Sequence, residues 1–180
     1  MNDKLCGKSA FFFIDYEAFQ HGKEDGIIIK ELCVMAADNP LKSGCFVFKP
    51  PFEWTCLRPD QQGTYSYEER CLHHLSWAEG DVQFCADCVQ NSLTWFAGMH
   101  NVVFLALGEQ KVRILQNKLP KLCILDYRDI DARCKNVSLH NLPTAPTHIT
   151  CTYRNHGRIH CAVLKCFRLS MHYHENFVRR

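Results

Sequence analysis

No window of this chain holds enough consecutive apolar residues to cross a bilayer, which takes about 20, and no stretch is dominated by charge of one sign. The opening MNDKLCGKSA lacks the apolar centre of a secretory signal, and the run FFFI at 11–14 is closed by Asp15 and Glu17. No lipidation signal stands at either end. These absences exclude a membrane protein and set the expectation of an intracellular chain, nuclear or cytoplasmic and not secreted. Net charge is only +2, from 21 basic and 19 acidic residues. That excludes a protein that coats nucleic acid through phosphate contacts alone, so any such binding must be local. Repeats and low-complexity segments are absent, and proline gathers only around 49–51 and 142–146, both of which read as loops. One domain over 1–180, with its core at about 10–170, is the expected organisation.

What is present is apolar residues, at 47%, and twelve cysteines. The first is enough to build a core without disulfides. The second, in a chain read as intracellular, implies reduced thiols, most of them packed as small core residues. The runs FFFID at 11–15, IIIKELCVM at 27–35 and CFVF at 45–48, separated by turn signals, predict three strands in meander order. A loop-rich stretch follows from 50 to 80. Val82, Cys85, Cys88, Val89, Leu93 and Phe96 then keep helical spacing. After them come a strand at 102–107, a short helix at 109–117, a strand at 122–125 ending at Asp126, and a final helix at about 155–169. The fold class is therefore α/β, a mixed five-stranded sheet with flanking helices.

Asp15 and Glu17 lie two residues apart at the end of an apolar strand. Alternate residues of a strand point to one side, so two carboxylates there can share hard divalent cations. The segments FFFIDYEAF and IIIKELCVM, with this order of elements, resemble the first motif of the ribonuclease-H-like DEDD-type 3′–5′ exonucleases of the histidine subgroup. The resemblance implies metal-binding roles for Asp15 and Glu17, with Mg²⁺ or Mn²⁺ as cofactor, and a general-base role for His156. It also shows departures. The second-motif carboxylate position is taken by Lys111, ahead of Leu115. The third motif runs His156, GRIH, then Cys161 where the family has Asp. Two of four metal carboxylates are thus replaced.

These departures resemble the Maelstrom domain, a ribonuclease-H-like domain of small-RNA pathways in which a Glu-Cys-His-Cys set binds structural zinc. The resemblance implies that Glu31, Cys151, His156 and Cys161 form that set. Two thiolates and an imidazole suit zinc better than magnesium. On ligand chemistry alone, buried thiols and a satisfied histidine remain the alternative. Unlike Maelstrom, the chain has no HMG box and retains Asp15 and Glu17.

The function these features favour is a catalytically degenerate, zinc-stabilised exonuclease-fold module. It would bind single-stranded nucleic acid, by analogy RNA, or assemble with protein partners as in RNA silencing, with Lys111 and Arg113 offering phosphate contacts. The alternatives are an active single-strand nuclease that recruits Asp81, Glu109 or Asp126 as a third carboxylate, and an adaptor without nucleic-acid contact. Cys85 and Cys88 form a CxxC for which a second zinc site with Cys71, His73 and His74, or a redox pair, is conceivable. Their helical spacing instead places them on the apolar face, in the core. Of Phe48, Phe52, Trp54, Trp77 and Trp95, most are expected in the core or anchoring loops, not stacking bases.

Overall fold

The computed structural model describes residues 10–22, 26–98, 101–145 and 161–178. Its centre is strand β1 (Ala10–Gln20), buried on both faces along most of its length, as its nearly continuous apolar run requires. Strand β2 (Ile27–Ala36) pairs with β1 antiparallel, and β3 (Ser43–Lys49) pairs with β2 antiparallel, giving the expected meander. On the other side of β1, β5 (Val102–Ala106) runs parallel to it and β6 (Ile124–Asp126) runs parallel to β5. The expected five-stranded sheet gains a sixth member, β4 (Val82–Gln83), which lies parallel to the end of β3. The order is β4-β3-β2-β1-β5-β6. Two residues at the head of what reads as a helix are too few for a period-two pattern, so β4 carries no signal of its own.

Helix α1 (Pro59–Glu68) occupies the stretch expected to be loop. Proline at the first helical position starts it. It then buries only Tyr65 and Glu68, so it has no apolar stripe to betray it. Helix α2 (Ala86–Ala97) begins after Cys85 and ends at Gly98, whose φ of 69° is the left-handed conformation that closes a helix. Helix α3 (Glu109–Lys118) matches its expected span, and α4 (Ala162–Tyr173) continues as a wider helical turn to Val178. Residues 155–160 of the expected final helix lie outside the described residues. None of the described helices is long and apolar enough to cross a membrane.

Strand alternation divides the core. Phe12, Ile14 and Tyr16 face α2 and α3, meeting Val89, Leu93, Ile114 and Leu115. Phe13, Cys33 and Met35 face α4, meeting Ala162, Cys166 and Leu169. A third cluster, Phe19, Leu57, Tyr65 and Trp77, seats α1 on the end of β1. Beside it the buried Lys30 ammonium donates to the carbonyls of Phe48 and Trp77, each at 2.9 Å, and of Glu79. Burial lowers this lysine to about 8. The clasp holds the 77–79 turn on the sheet, where Gly80 lies so close to the backbone of Phe48 and Lys49 that a Cβ would collide.

The cysteines depart from expectation. Of those described, only Cys33, Cys134, Cys161 and Cys166 are buried, while Cys56, Cys71, Cys85, Cys88 and Cys123 are exposed. Cys85 and Cys88 are therefore not core residues. Their helix starts at Ala86 rather than 82, so Cys85 precedes the first turn and the buried stripe begins at Val89.

Candidate functional site: a carboxylate cluster held by lysines

On the α4 face the apolar layer of β1 stops at Phe13, and the next two side chains on that face are Asp15 and Glu17, 3% and 9% exposed. Glu31, fully buried, stands directly across from Glu17 in the β1–β2 register. Three carboxylates thus converge on one face, and like charges opposed across strands repel unless something else holds them. A register shift between Glu17 and Ala18 follows at once, after which the pairing resumes one residue out of step with Ala18 opposite Ile29.

Two lysines supply the counter-charge. Lys111, on the first turns of α3, donates to Asp15 Oδ1, and its ammonium lies 5.2 Å from the centroid of the Tyr16 ring. Lys165, on α4, donates to Glu17 Oε1 and lies 3.7 Å from Asp15 Oδ2. Lys165 is 6% exposed. Burial opposes its charge, but Asp15 and Glu17 outweigh that cost and hold the ammonium above the ordinary lysine range. The cluster is therefore two carboxylates bridged by the Lys165 ammonium, with the Lys111 ammonium a second partner of Asp15. An ammonium matches the charge of the carboxylates, yet it is a donor only and cannot polarise water as a Lewis acid does.

Glu31 is held differently. Its Oε2 accepts the backbone N–H of Ala162 at 3.0 Å, and its Oε1 accepts the Cys45 thiol at 3.5 Å. A carboxylate at the first N–H of α4 satisfies an orphan donor and complements the helix dipole. Cys161, buried, is the residue immediately before that turn. Glu31 and Cys161 are thus brought together at the start of α4, whereas Cys151 and His156 lie outside the described residues. Among the described residues no group of three or more His, Cys, Asp or Glu side chains is arranged to hold a metal.

The third-carboxylate candidates sit elsewhere. Asp126 accepts from the Arg128 side chain, at 2.6 Å from Nη2 and at 3.1 and 3.2 Å from Nε, and burial works against those bonds without preventing them from holding it below the usual carboxylate range. Glu109 and Asp126 line one concavity of about 590 Å³, which Asp15 and Glu17 do not line. Asp81 is exposed, its N–H bonded to Val47 O at 3.1 Å. Of the aromatic candidates, Phe48 and Trp77 are core residues and Phe52 and Trp54 flank Trp77, as expected of loop anchors. Trp95 is 85% exposed on α2. Arg113 is exposed on α3.

Lys165 is the site residue that sequence reasoning missed. Its signal was available, since in AVLKCFRLS it falls on the stripe Ala162, Lys165, Cys166, Leu169, Ser170, which the structure buries. A lysine in line with the apolar face of a helix demands a buried anion.

The sequence matches no protein-family model and no curated protein. Among solved structures it is similar to E. coli ExoI in complex with single-stranded DNA, in a zinc-bound form, with a TM-score of 0.53 and 12% identity. The likeness covers 96% of this chain, which spans 42% of that protein's length. At this identity the likeness concerns the fold. The mixed sheet and its flanking helices share the ribonuclease-H-like fold of that neighbour.

Proposed function

We propose that this chain is a catalytically silent exonuclease-fold module that associates with single-stranded nucleic acid, by family analogy RNA. One observation carries the reading: Lys111 and Lys165 place ammonium groups on Asp15 and Glu17, where the resemblance puts divalent cations. A two-metal hydrolysis needs hard oxygen ligands free to hold both ions. Here the ligands are already neutralised from α3 and α4. Association with nucleic acid is supported by the fold shared with a single-stranded DNA complex and by Arg113 on the outer side of α3. Lys111 contributes to this surface mainly as the neutraliser of Asp15. Protein partners of the kind found in RNA-silencing assemblies belong to the same reading.

Zinc belongs to it as well, as a structural ion held by Glu31, Cys151, His156 and Cys161. Glu31 lies at the turn that Cys161 begins, with one oxygen accepting from Ala162 and the other from the Cys45 thiol, which zinc would have to displace. A closed set of this kind would pin α4 to β2 and supply stability rather than reactive water.

The test is cleavage of a labelled single strand with magnesium or manganese, beside binding of the same strand. The parent should bind with an affinity that falls steeply with salt, because phosphate contacts release counterions, and should not cut. Cleavage that disappears in Asp15→Asn would overturn the silent reading. Binding that is absent or insensitive to salt would leave an adaptor. Metal content decides zinc: about one equivalent in the parent and near none in Cys151→Ala, Cys161→Ala supports the set, and a folded parent without zinc removes it.

A further inference from the structure

Cys85 and Cys88 stand apart from the carboxylate cluster, at the start of α2 on the opposite face of the sheet. Both are exposed. Cys85 is the N-cap of a twelve-residue helix and Cys88 is its third residue. The Cys85 sulfur accepts the backbone N–H of Cys88 at 3.4 Å, the place a serine or aspartate oxygen usually takes. The two side chains act on each other: the Cys88 side chain and the Cys88 N–H hold the Cys85 thiol below its ordinary range, and the Cys88 thiol is raised in return. Asp87, between them, would oppose a thiolate, but its carboxylate is paired with Lys121 at 2.6 Å. The segment is anchored on both sides, by Phe84 edge-on to Phe48 at 5.1 Å and by the first helical bond from Val89 N to Cys85 O at 2.9 Å.

We propose that Cys85 and Cys88 form a redox-active dithiol that reacts with small-molecule disulfides, Cys85 attacking and Cys88 resolving. In the first step the Cys85 thiolate attacks one sulfur of the disulfide, forming a mixed disulfide and expelling one small thiolate. Cys88 then loses its proton to solvent and attacks the Cys85 sulfur, closing the intramolecular bond and expelling the second thiolate. The protein dithiol is oxidised, and the small disulfide is reduced to two thiols. No metal or further oxidant is needed. A buried pair could not do this, because the attacking sulfur must meet the incoming disulfide in line.

The experiment treats the reduced full-length chain with glutathione disulfide, blocks the remaining thiols by alkylation and maps the peptides. Exposed Cys56, Cys71 and Cys123 serve as controls in the same molecule. Expected is a peptide carrying 85–88 that is lighter by two hydrogens and unalkylated, while the controls stay alkylated. Cys88→Ser should trap glutathione on Cys85, and alkylation of Cys85 near neutral pH should run about tenfold faster than at the controls. Cys85→Ser keeps a capping oxygen and so keeps the helix start, which separates loss of chemistry from loss of fold. It should leave Cys88 no more reactive than the controls. A Cys85 that reacts at the control rate, a Cys88→Ser variant that traps no glutathione, or bridges from Cys85 to other cysteines would overturn the proposal.

Discussion

The two faces of the sheet share the same strands and are closed by different physics. Toward α2 and α3, Phe12, Ile14, Leu32, Val34 and Phe104 meet Leu93, Ile114 and Leu115, and the polar side chain that α2 buries, Gln90, is uncharged. Toward α4, Phe13, Cys33 and Met35 begin an equally apolar layer, which then gives way to Asp15, Glu17, Glu31 and Lys165. The first face is stabilised contact by contact, and each methylene contributes independently of its neighbours' charge. The second is conditional, because each buried charge is tolerable only while its partner stays. A nuclease would meet that condition with metal ions. This chain meets it with its own lysines and the start of α4.

The largest test of that contrast is Lys165→Ala. It strands Asp15 and Glu17 beside Lys111 alone, and the expected loss, measured by denaturant unfolding, is about 4 kcal/mol, as for breaking a buried pair. Adding Asp15→Asn and Glu17→Gln should recover much of it, since the uncompensated charge is then gone. A loss below about 1 kcal/mol, the scale of a surface pair, would show that the lysine is not needed. The double variant Lys111→Ala, Lys165→Ala sharpens the point. If the ammonium groups stand in for divalent ions, millimolar magnesium or manganese should raise its melting temperature and leave the parent's unchanged.

On the other face, Leu93→Ala should cost about 3 kcal/mol by opening a cavity, and no charge change elsewhere should restore it. Recovery by any change among Asp15, Glu17 and Glu31 would mean that the two faces are coupled. Smaller still is Glu31→Ala, which removes the acceptor at the first turn of α4 and should cost about 1 kcal/mol as a lost cap. A much larger loss that tracks with released zinc would instead identify Glu31 as a metal ligand.

How much of this was legible beforehand follows from where the signals are local. The central strands were readable because β1 and β2 are buried on both faces and leave near-continuous apolar runs. The pair Asp15 and Glu17 was readable because a strand end fixes which side alternate residues face. Helix α1 was missed because its packing comes from two residues and its start from Pro59. The CxxC was misplaced because spacing that continues through Val82 hides a break at Cys85, where a two-residue strand ends and a cap begins. The lysine cluster was half visible. Lys111 drew notice as a replaced carboxylate, but its bond to Asp15 joins positions 96 residues apart, and no local pattern encodes such a distance. His156 and Cys151 lie outside the described residues, so their part of the site still rests on the resemblance.

The smallest effect separates Lys165 from Glu68 by pH. Lys165 sits above its ordinary value in the folded state, so its contribution is full below about 10.5 and is lost only as pH rises through the folded value. It contributes no slope between pH 4 and 8. Glu68, at the end of α1, does. Burial raises it to about 7, against the opposing pull of the Gln20 N–H that its carboxylate accepts at 3.0 Å. The folded state therefore keeps a proton that the unfolded chain, with an ordinary value of 4.5, has released. Its stabilising contribution is full below about 4.5 and is lost as pH rises through about 7. Glu68→Gln keeps an acceptor for Gln20 and cannot titrate, so unfolding free energies measured from pH 4 to 8 should fall less steeply in the variant than in the parent. Parallel curves would place the titration elsewhere and leave Glu68 an ordinary carboxylate. A slope altered instead in Lys165→Ala would assign the titration to Glu17, which burial raises above its ordinary value while Lys165 opposes the shift, and would break the division between the two regions.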